Sequence, residues 1–137
     1  MKGEIFIILA QLVWAISSLF VKKLLQDTNP LLVTSLIAFL GTIFVFPFLI
    51  YFWNELKIFT PQKLIWAILA GLFWIALGEI FYSLGLRKVP ISRASLLALS
   101  FPFFTTLLGV IFLSEKITLR FILGAIFMVI GYIILVM

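Results

Sequence analysis

One carboxylate lies deep inside a long apolar stretch of this sequence. Glu79 stands about four residues past the middle of an apolar run that extends from about residue 64 to residue 86. A charged carboxylate at that depth of a bilayer costs about 3 kcal/mol on insertion scales, so such groups usually serve a function. Three states are open to it: protonated, paired with a cation, or facing a wet cavity. Tyr82 and Ser83 follow on the same helix face and extend it with hydroxyls.

A second polar face is predicted in the first apolar run. Gln11, Trp14 and Ser18 stand at positions i, i+3 and i+7, which places an amide, an indole and a hydroxyl along one side of a helix. Apolar walls with a few placed polar groups are typical of small-molecule pockets. The alternative is that the serine bonds to its own helix and the tryptophan packs against lipid. Both interpretations stay open at this point.

Two prolines, Pro47 and Pro102, lie inside apolar runs. Each removes one intrahelical hydrogen bond and tends to kink its helix. Pro102 is the candidate for a gating bend, and a purely structural role is the alternative.

The composition tells which elements carry these residues. Of the 137 residues, 65% are hydrophobic and 11% are charged, whereas a soluble domain averages about 25% charged residues. So few charges cannot cover a soluble surface, and we predict an all-α integral membrane protein. A span needs about 20 apolar residues. Five segments qualify, joined by short connections into one bundle, and their approximate bounds are residues 5–21, 31–53, 64–86, 91–113 and 117–137.

Several function classes are excluded by the residues themselves. The chain has no cysteine and no histidine, so thiolate, imidazole and zinc chemistry are absent. It has no phosphate-binding loop, no nucleotide fingerprint and no carboxylates at metal-ligand spacing, so we expect no enzyme, no cofactor and no metal site. The net charge of +5 comes from basic residues beside apolar runs, which is typical of contacts with lipid headgroups and not with nucleic acid.

The basic residues do not select an orientation in the membrane. With five spans, each side carries five of them: Lys2, Lys57, Lys63, Lys116 and Arg120 on one side, and Lys22, Lys23, Arg87, Lys88 and Arg93 on the other. The positive-inside rule therefore gives a tie. The tie is either a coincidence of small numbers or a sign that the chain inserts in both orientations and pairs with an inverted copy.

The second half of the sequence is similar to a known family. The pattern comprises Ser92-Arg93-Ala94-Ser95, Leu99-Ser100-Phe101-Pro102, Ser114-Glu115-Lys116-Ile117-Thr118, and Gly124 with Gly131. A further part of the same family pattern lies near the start of the chain, at Leu12-Val13-Trp14-Ala15-Ile16-Ser17-Ser18. In order and spacing these motifs resemble the EamA-type domain of the drug/metabolite transporter superfamily, over nearly the whole chain.

The resemblance implies one five-helix unit, residues 1–137, which forms one half of an inverted-repeat transporter. It further implies a multi-pass protein of a prokaryotic cell membrane. The assembly is either a homodimer, for which an antiparallel arrangement is open, or a heterodimer with a related half-unit. We expect secondary transport of a small metabolite or drug-like solute by alternating access, with Glu79 as the proton-coupling or cation-recognising group. Gln11, Trp14, Ser18, Tyr82 and Ser83 would shape the pocket, and Pro102 would permit bending. The alternative is a non-transporting membrane subunit that assembles with a different chain.

Overall fold

A computed structural model describes residues 2–136, with side chains described for 3–119 and 121–134. Over these residues the chain is helical and contains no strand. It divides into two compact units, Met1–Lys88 and Val89–Met137.

The first unit contains three long helices. Helix α1 covers Lys2–Leu24 and α2 covers Pro30–Tyr51. A short 3₁₀ turn, Trp53–Ile58, then leads to a third helix that is continuous from Pro61 to Lys88. This third helix consists of α3 (Pro61–Ala70), a π-helical segment (Gly71–Gly78) and α4 (Glu79–Lys88).

Local sequence sets where these helices begin. Proline occupies the first turn of both α2 and α3, where its missing N–H costs nothing. The Asn29 side chain accepts a hydrogen bond from the Leu31 N–H at 2.9 Å, and the Thr60 hydroxyl accepts one from the Lys63 N–H at 3.4 Å. Both contacts satisfy N–H groups that a helix start leaves unpaired.

The second unit contains α5 (Ile91–Ala98), α6 (Phe101–Leu113) and α7 (Leu119–Val136). The predicted single helix 91–113 is interrupted at Leu99 and Ser100. Pro102 explains the interruption, because it has no N–H to continue the helical ladder and lies in the first turn of α6. Pro47, in contrast, lies within α2, which continues past it to Tyr51.

Four of the five predicted helices differ from the observed ones at their bounds. The helix predicted at 5–21 covers Lys2–Leu24, and the helix predicted at 117–137 covers Leu119–Val136. The predicted helix 31–53 ends at Tyr51, because Phe52 leaves helical geometry and the 3₁₀ turn follows. The predicted helix 64–86 extends to Pro61 and Lys88, since Thr60 caps its start.

Four helical segments of the described chain are long and apolar enough to cross a membrane: Gly3–Leu24, Pro30–Tyr51, Pro61–Lys88 and Ile91–Leu113, the last of which includes the interruption between α5 and α6. In α7, the apolar stretch with described side chains is shorter and covers Phe121–Ile134. Large apolar side chains are exposed along all of them; Phe44, for example, is 77% exposed. Such surfaces are what a lipid-embedded chain presents, since lipid and not water covers them.

The buried side chains of the first unit concentrate at one end of its helices. They come from the last turn and end of α1, the start of α2 and the second half of α4, and they are Val21, Leu25, Pro30, Val33, Thr34, Ser83 and Leu86. The α2 and α4 helices form the most extensive contact of this unit. The core therefore joins the three helices where α1 ends and α2 begins.

Candidate functional site

Glu79 lines a cavity of about 180 Å³ between α2 and the third helix. The wall from α2 consists of Thr34, Ile37 and Ala38, which share one helix face at i, i+3 and i+4. The opposite wall is made by Trp74, Ile75, Glu79 and Ser83. The cavity thus combines one carboxylate, one indole and two hydroxyls with apolar side chains, as solute-binding sites commonly do.

The π-helical segment determines which side chains join Glu79 in this wall. With about 100° of rotation per residue, an α-helix would place Trp74 about 140° away from Glu79, because the two are five positions apart. A π-helix pairs residues i and i+5, so residues five apart come close to one face. The Gly71–Gly78 segment therefore accounts for an indole beside the carboxylate.

Gly78, the last residue of the π-helical segment, is required for the backbone conformation of that segment. A Cβ at this position would lie 2.9 Å from the carbonyl oxygen of Phe73, closer than real Cβ contacts come. Gly71, at the other end of the segment, has open space within 4 Å of the same position. Only one of the two flanking glycines is therefore sterically required.

A buried hydrogen bond joins the two walls of the cavity. The Thr34 hydroxyl donates to the Ser83 Oγ at 2.9 Å, and both side chains are buried. Without this contact each hydroxyl would face an apolar environment, where an unpaired polar group is costly. The bond fixes α2 against α4 directly beside Glu79.

We expect Thr34→Val to destabilise the protein by about 1–2 kcal/mol, since it leaves the Ser83 hydroxyl buried and unpaired. The double variant Thr34→Val/Ser83→Ala should lose less than the sum of the two single losses, with a coupling of about 0.6–2 kcal/mol. Equilibrium unfolding in mixed micelles measures all four proteins of this cycle.

Thr42→Val is the matched control for this cycle. Thr42 lies on the same helix, is exposed, and donates to the Ala38 carbonyl of its own helix. Its replacement should change stability by less than the Thr34 substitution. Additive losses in the cycle would show that the Thr34–Ser83 bond does not join the helices energetically.

The polar face predicted on α1 meets the third helix, but at residues other than Glu79. The Ser18 and Tyr82 hydroxyls lie 3.3 Å apart, and the Trp14 and Trp74 rings have centroids 5.8 Å apart at a tilt of 52°. The Ser18 hydroxyl also donates to the Trp14 carbonyl at 2.9 Å, as the alternative of bonding back to its own helix anticipated.

The six predicted site residues therefore fall into two groups. Glu79 and Ser83 line the cavity, whereas Gln11, Trp14, Ser18 and Tyr82 do not. Trp14 lies one contact away, since its ring packs against Trp74. Tyr82 contacts Ser18 of α1, which does not line the cavity either. Gln11 is exposed on α1.

Lys22 holds the C-terminal end of the third helix. Its Nζ donates to the backbone carbonyl of Leu86 and lies 3.5 Å from that of Arg87. Carbonyls in the last turn of a helix lack intrahelical donors and carry partial negative charge, so a lysine satisfies both needs. This basic residue, predicted only to flank a span, thus also fixes α1 to α4.

The second unit has a separate cavity of a different character. It has a volume of about 320 Å³ and lies against α7, and its lining is entirely apolar: Phe103, Ile122, Ala125, Ile126, Val129 and Ile130. The predicted bending residue Pro102 belongs to this unit, next to Phe103. Since no polar group lines it, this larger cavity offers nothing to orient a solute.

Sequence reasoning missed Thr34 and Trp74 as site residues. Thr34 carried a weak signal, as a hydroxyl in α2, a helix without a charged residue. Trp74 stands at helical spacing from Gly71 and Gly78, a pattern that indicates helix packing and not a binding site. Its place beside Glu79 depends on the π-helical backbone. Among the described residues, no group of three or more acidic side chains could hold a metal ion.

Comparison of the sequence with known proteins shows to which family the chain is related. The EamA-like transporter family matches residues 1–137. An uncharacterized transporter from Archaeoglobus fulgidus is 33% identical over 135 residues, which cover 98% of this chain and 48% of that protein. The chain therefore spans about half the length of this curated relative, and no solved structure gives a significant match. A match along the entire sequence, together with apolar helices able to span a membrane, means that this chain belongs to the EamA-like transporter family.

Proposed function

We propose that this protein is a secondary transporter that moves a small solute across the cell membrane by alternating access. The observation that carries the proposal is the position of Glu79. This carboxylate lines a cavity between two apolar helices and lies about nine residues, or about 13 Å along the axis, before the end of the Pro61–Lys88 helix. Ionisable groups at such depth commonly mark solute or proton pathways.

The proposal assigns a role to each group of residues. Glu79 exchanges a proton or a cation with the solute pathway. Ser83 and Thr34 form the polar floor of the cavity, and Trp74 forms its aromatic wall. Trp14 supports this wall from α1. Ser18 of α1 contacts Tyr82 of the third helix, and Gln11 lies nearer the start of α1.

The proposed assembly contains two five-helix units in inverted orientation. In this scheme α7 serves as the fifth span. The relative from Archaeoglobus fulgidus is about twice as long as the match, which gives room for two such units. We propose that a second copy of this chain supplies the other unit, and the equal number of basic residues on both sides permits the antiparallel arrangement. Bending at the α5–α6 interruption beside Pro102 accompanies the change of access.

Flux into proteoliposomes tests the proposed function. We expect the purified protein to accelerate uptake of at least one solute from a panel of small metabolites, and to respond to an imposed pH gradient. The matched control is liposomes with an equal amount of heat-denatured protein. Uptake that never exceeds this control, across the panel and in both gradient directions, would contradict the proposal.

A second candidate function is a membrane subunit that completes a different partner chain. The match to about half of the relative also supports this candidate, because a related unit on another chain could correspond to the other half of that relative. Accessibility labelling of cysteines introduced at residues 3 and 57 discriminates the two, since this chain has no native cysteine. Labelling from both sides of the membrane supports the self-inverted dimer, whereas labelling from one side alone supports the heteromeric assembly.

A further inference from the structure

The charge around the 180 Å³ cavity is unbalanced. Glu79 is its one ionisable lining residue, and no lysine or arginine is among the residues that line it. The α2 helix that faces Glu79 carries no charged residue over its whole length, Pro30–Tyr51. The nearby Lys22 bonds to the backbone carbonyls of Leu86 and Arg87, at the end of the helix. When Glu79 is ionised, its counter-charge therefore comes from outside the lining residues.

An indole side chain lies in the same cavity. Trp74 lines it, and the contact between the Trp14 and Trp74 rings holds this indole from the side of α1. The face of an indole attracts cations through its quadrupole, most strongly where water is scarce. A carboxylate and an indole together can recognise an alkylated ammonium group. The carboxylate supplies the counter-charge, and the indole packs against the alkyl groups of the cation.

The size of the cavity limits the ligand. A volume of about 180 Å³ lies below the about 300–1,000 Å³ of pockets for drug-sized molecules. The apolar lining of Ile37, Ala38 and Ile75 favours alkyl groups over a strongly hydrated ion. A metal cation would also find only one carboxylate here, which is too few ligands for a hard divalent ion.

We propose that this cavity binds a small organic ammonium cation, with the Glu79 carboxylate as its counter-ion and the Trp74 indole against its alkyl groups. The inference rests on the proposed transport function and names the class of its solute. Within alternating access, the cation and a proton then occupy the same carboxylate in turn.

Titration calorimetry on the full chain in lipid nanodiscs tests the proposal with choline as the probe. The neutral isostere 3,3-dimethylbutan-1-ol and the anion propionate are the comparisons. We expect choline to bind about tenfold or more tightly than either of them. Glu79→Gln should weaken choline binding about tenfold or more, and Trp74→Leu about threefold to tenfold.

Two further variants separate binding from folding. Trp74→Phe keeps an aromatic face and should retain more affinity than Trp74→Leu. Trp66→Leu removes an exposed indole that does not line the cavity and should leave choline affinity unchanged. Equal binding of choline and its neutral isostere, or preferred binding of propionate, would overturn the inference.

The flux panel distinguishes this inference from the proposed function. Uptake of another solute by a protein that does not bind choline overturns the ammonium site and leaves transport standing. Choline binding in a protein that moves no solute supports the site and contradicts transport.

Discussion

Replacement of Glu79 by glutamine should reduce solute flux about 10- to 100-fold and remove its dependence on a pH gradient. The expected size follows from the loss of a charge-assisted contact, worth about 1.5–3 kcal/mol, to a solute that the cavity holds. Glutamine keeps the shape and polarity of the side chain but neither takes up nor releases a proton. Initial rates of uptake into proteoliposomes, with and without the gradient, measure both effects.

The matched control for this variant is Glu55→Gln. Glu55 lies in the 3₁₀ turn between α2 and α3, outside the cavity, and is exposed. Its replacement makes the same chemical change and should leave flux and gradient response unaltered. If Glu79→Gln retains wild-type rates and gradient response, Glu79 has no part in coupling.

Gly78→Ala should have the second largest effect, because its Cβ would collide with the Phe73 carbonyl oxygen at 2.9 Å. The collision is with backbone, so the π-helical turn itself must shift, at a cost of about 1–3 kcal/mol. If one π turn becomes an α turn, that turn contains one residue fewer. The preceding helix then rotates by about 100° relative to Glu79. We therefore expect lower thermal stability and a loss of flux of about tenfold.

Gly71→Ala provides the comparison, since its Cβ would enter open space. Alanine has a higher helix propensity than glycine, so this variant should keep its flux and gain up to about 1 kcal/mol of stability. Thermal unfolding and uptake rates of the two variants, measured side by side, test the expectation. Equal behaviour of both would mean that the close approach at Gly78 does not constrain the segment.

The sequence was most informative where a single physical requirement dominated. A long run without charges predicts a membrane-spanning helix, because only a helix satisfies its own backbone in lipid. The start of α2 was predicted to within one residue, because proline in the first turn of a helix gives up no hydrogen bond. The third helix was predicted from residue 64 and begins three residues earlier, at Pro61. The relation of Glu79 to Ser83, four residues apart on one helix, also follows from the helical period alone.

The site features that were not predicted depend on departures from the α-helical period and on which side chains of different helices meet. Trp74 comes to the cavity because eight residues adopt π geometry, which local composition does not predict. Thr34 matters because Ser83 lies opposite to it, and no pattern within α2 reveals which hydroxyl of another helix it meets. The helical period correctly predicted that Gln11, Trp14 and Ser18 share one face of α1. Helix packing, which the period does not give, decides which of these residues approach the third helix.

The buried residues at one end of the first unit give its helices a common fixed point. Around Leu25 and Leu86 the chain's own contacts hold α1, α2 and α4 together, whereas towards the opposite ends nearly all side chains are exposed. Helices that are fixed at one end in this way can move apart at their other ends. The free energy needed to spread the exposed ends then depends largely on the surrounding lipid, so the membrane itself contributes to the energetics of the proposed opening.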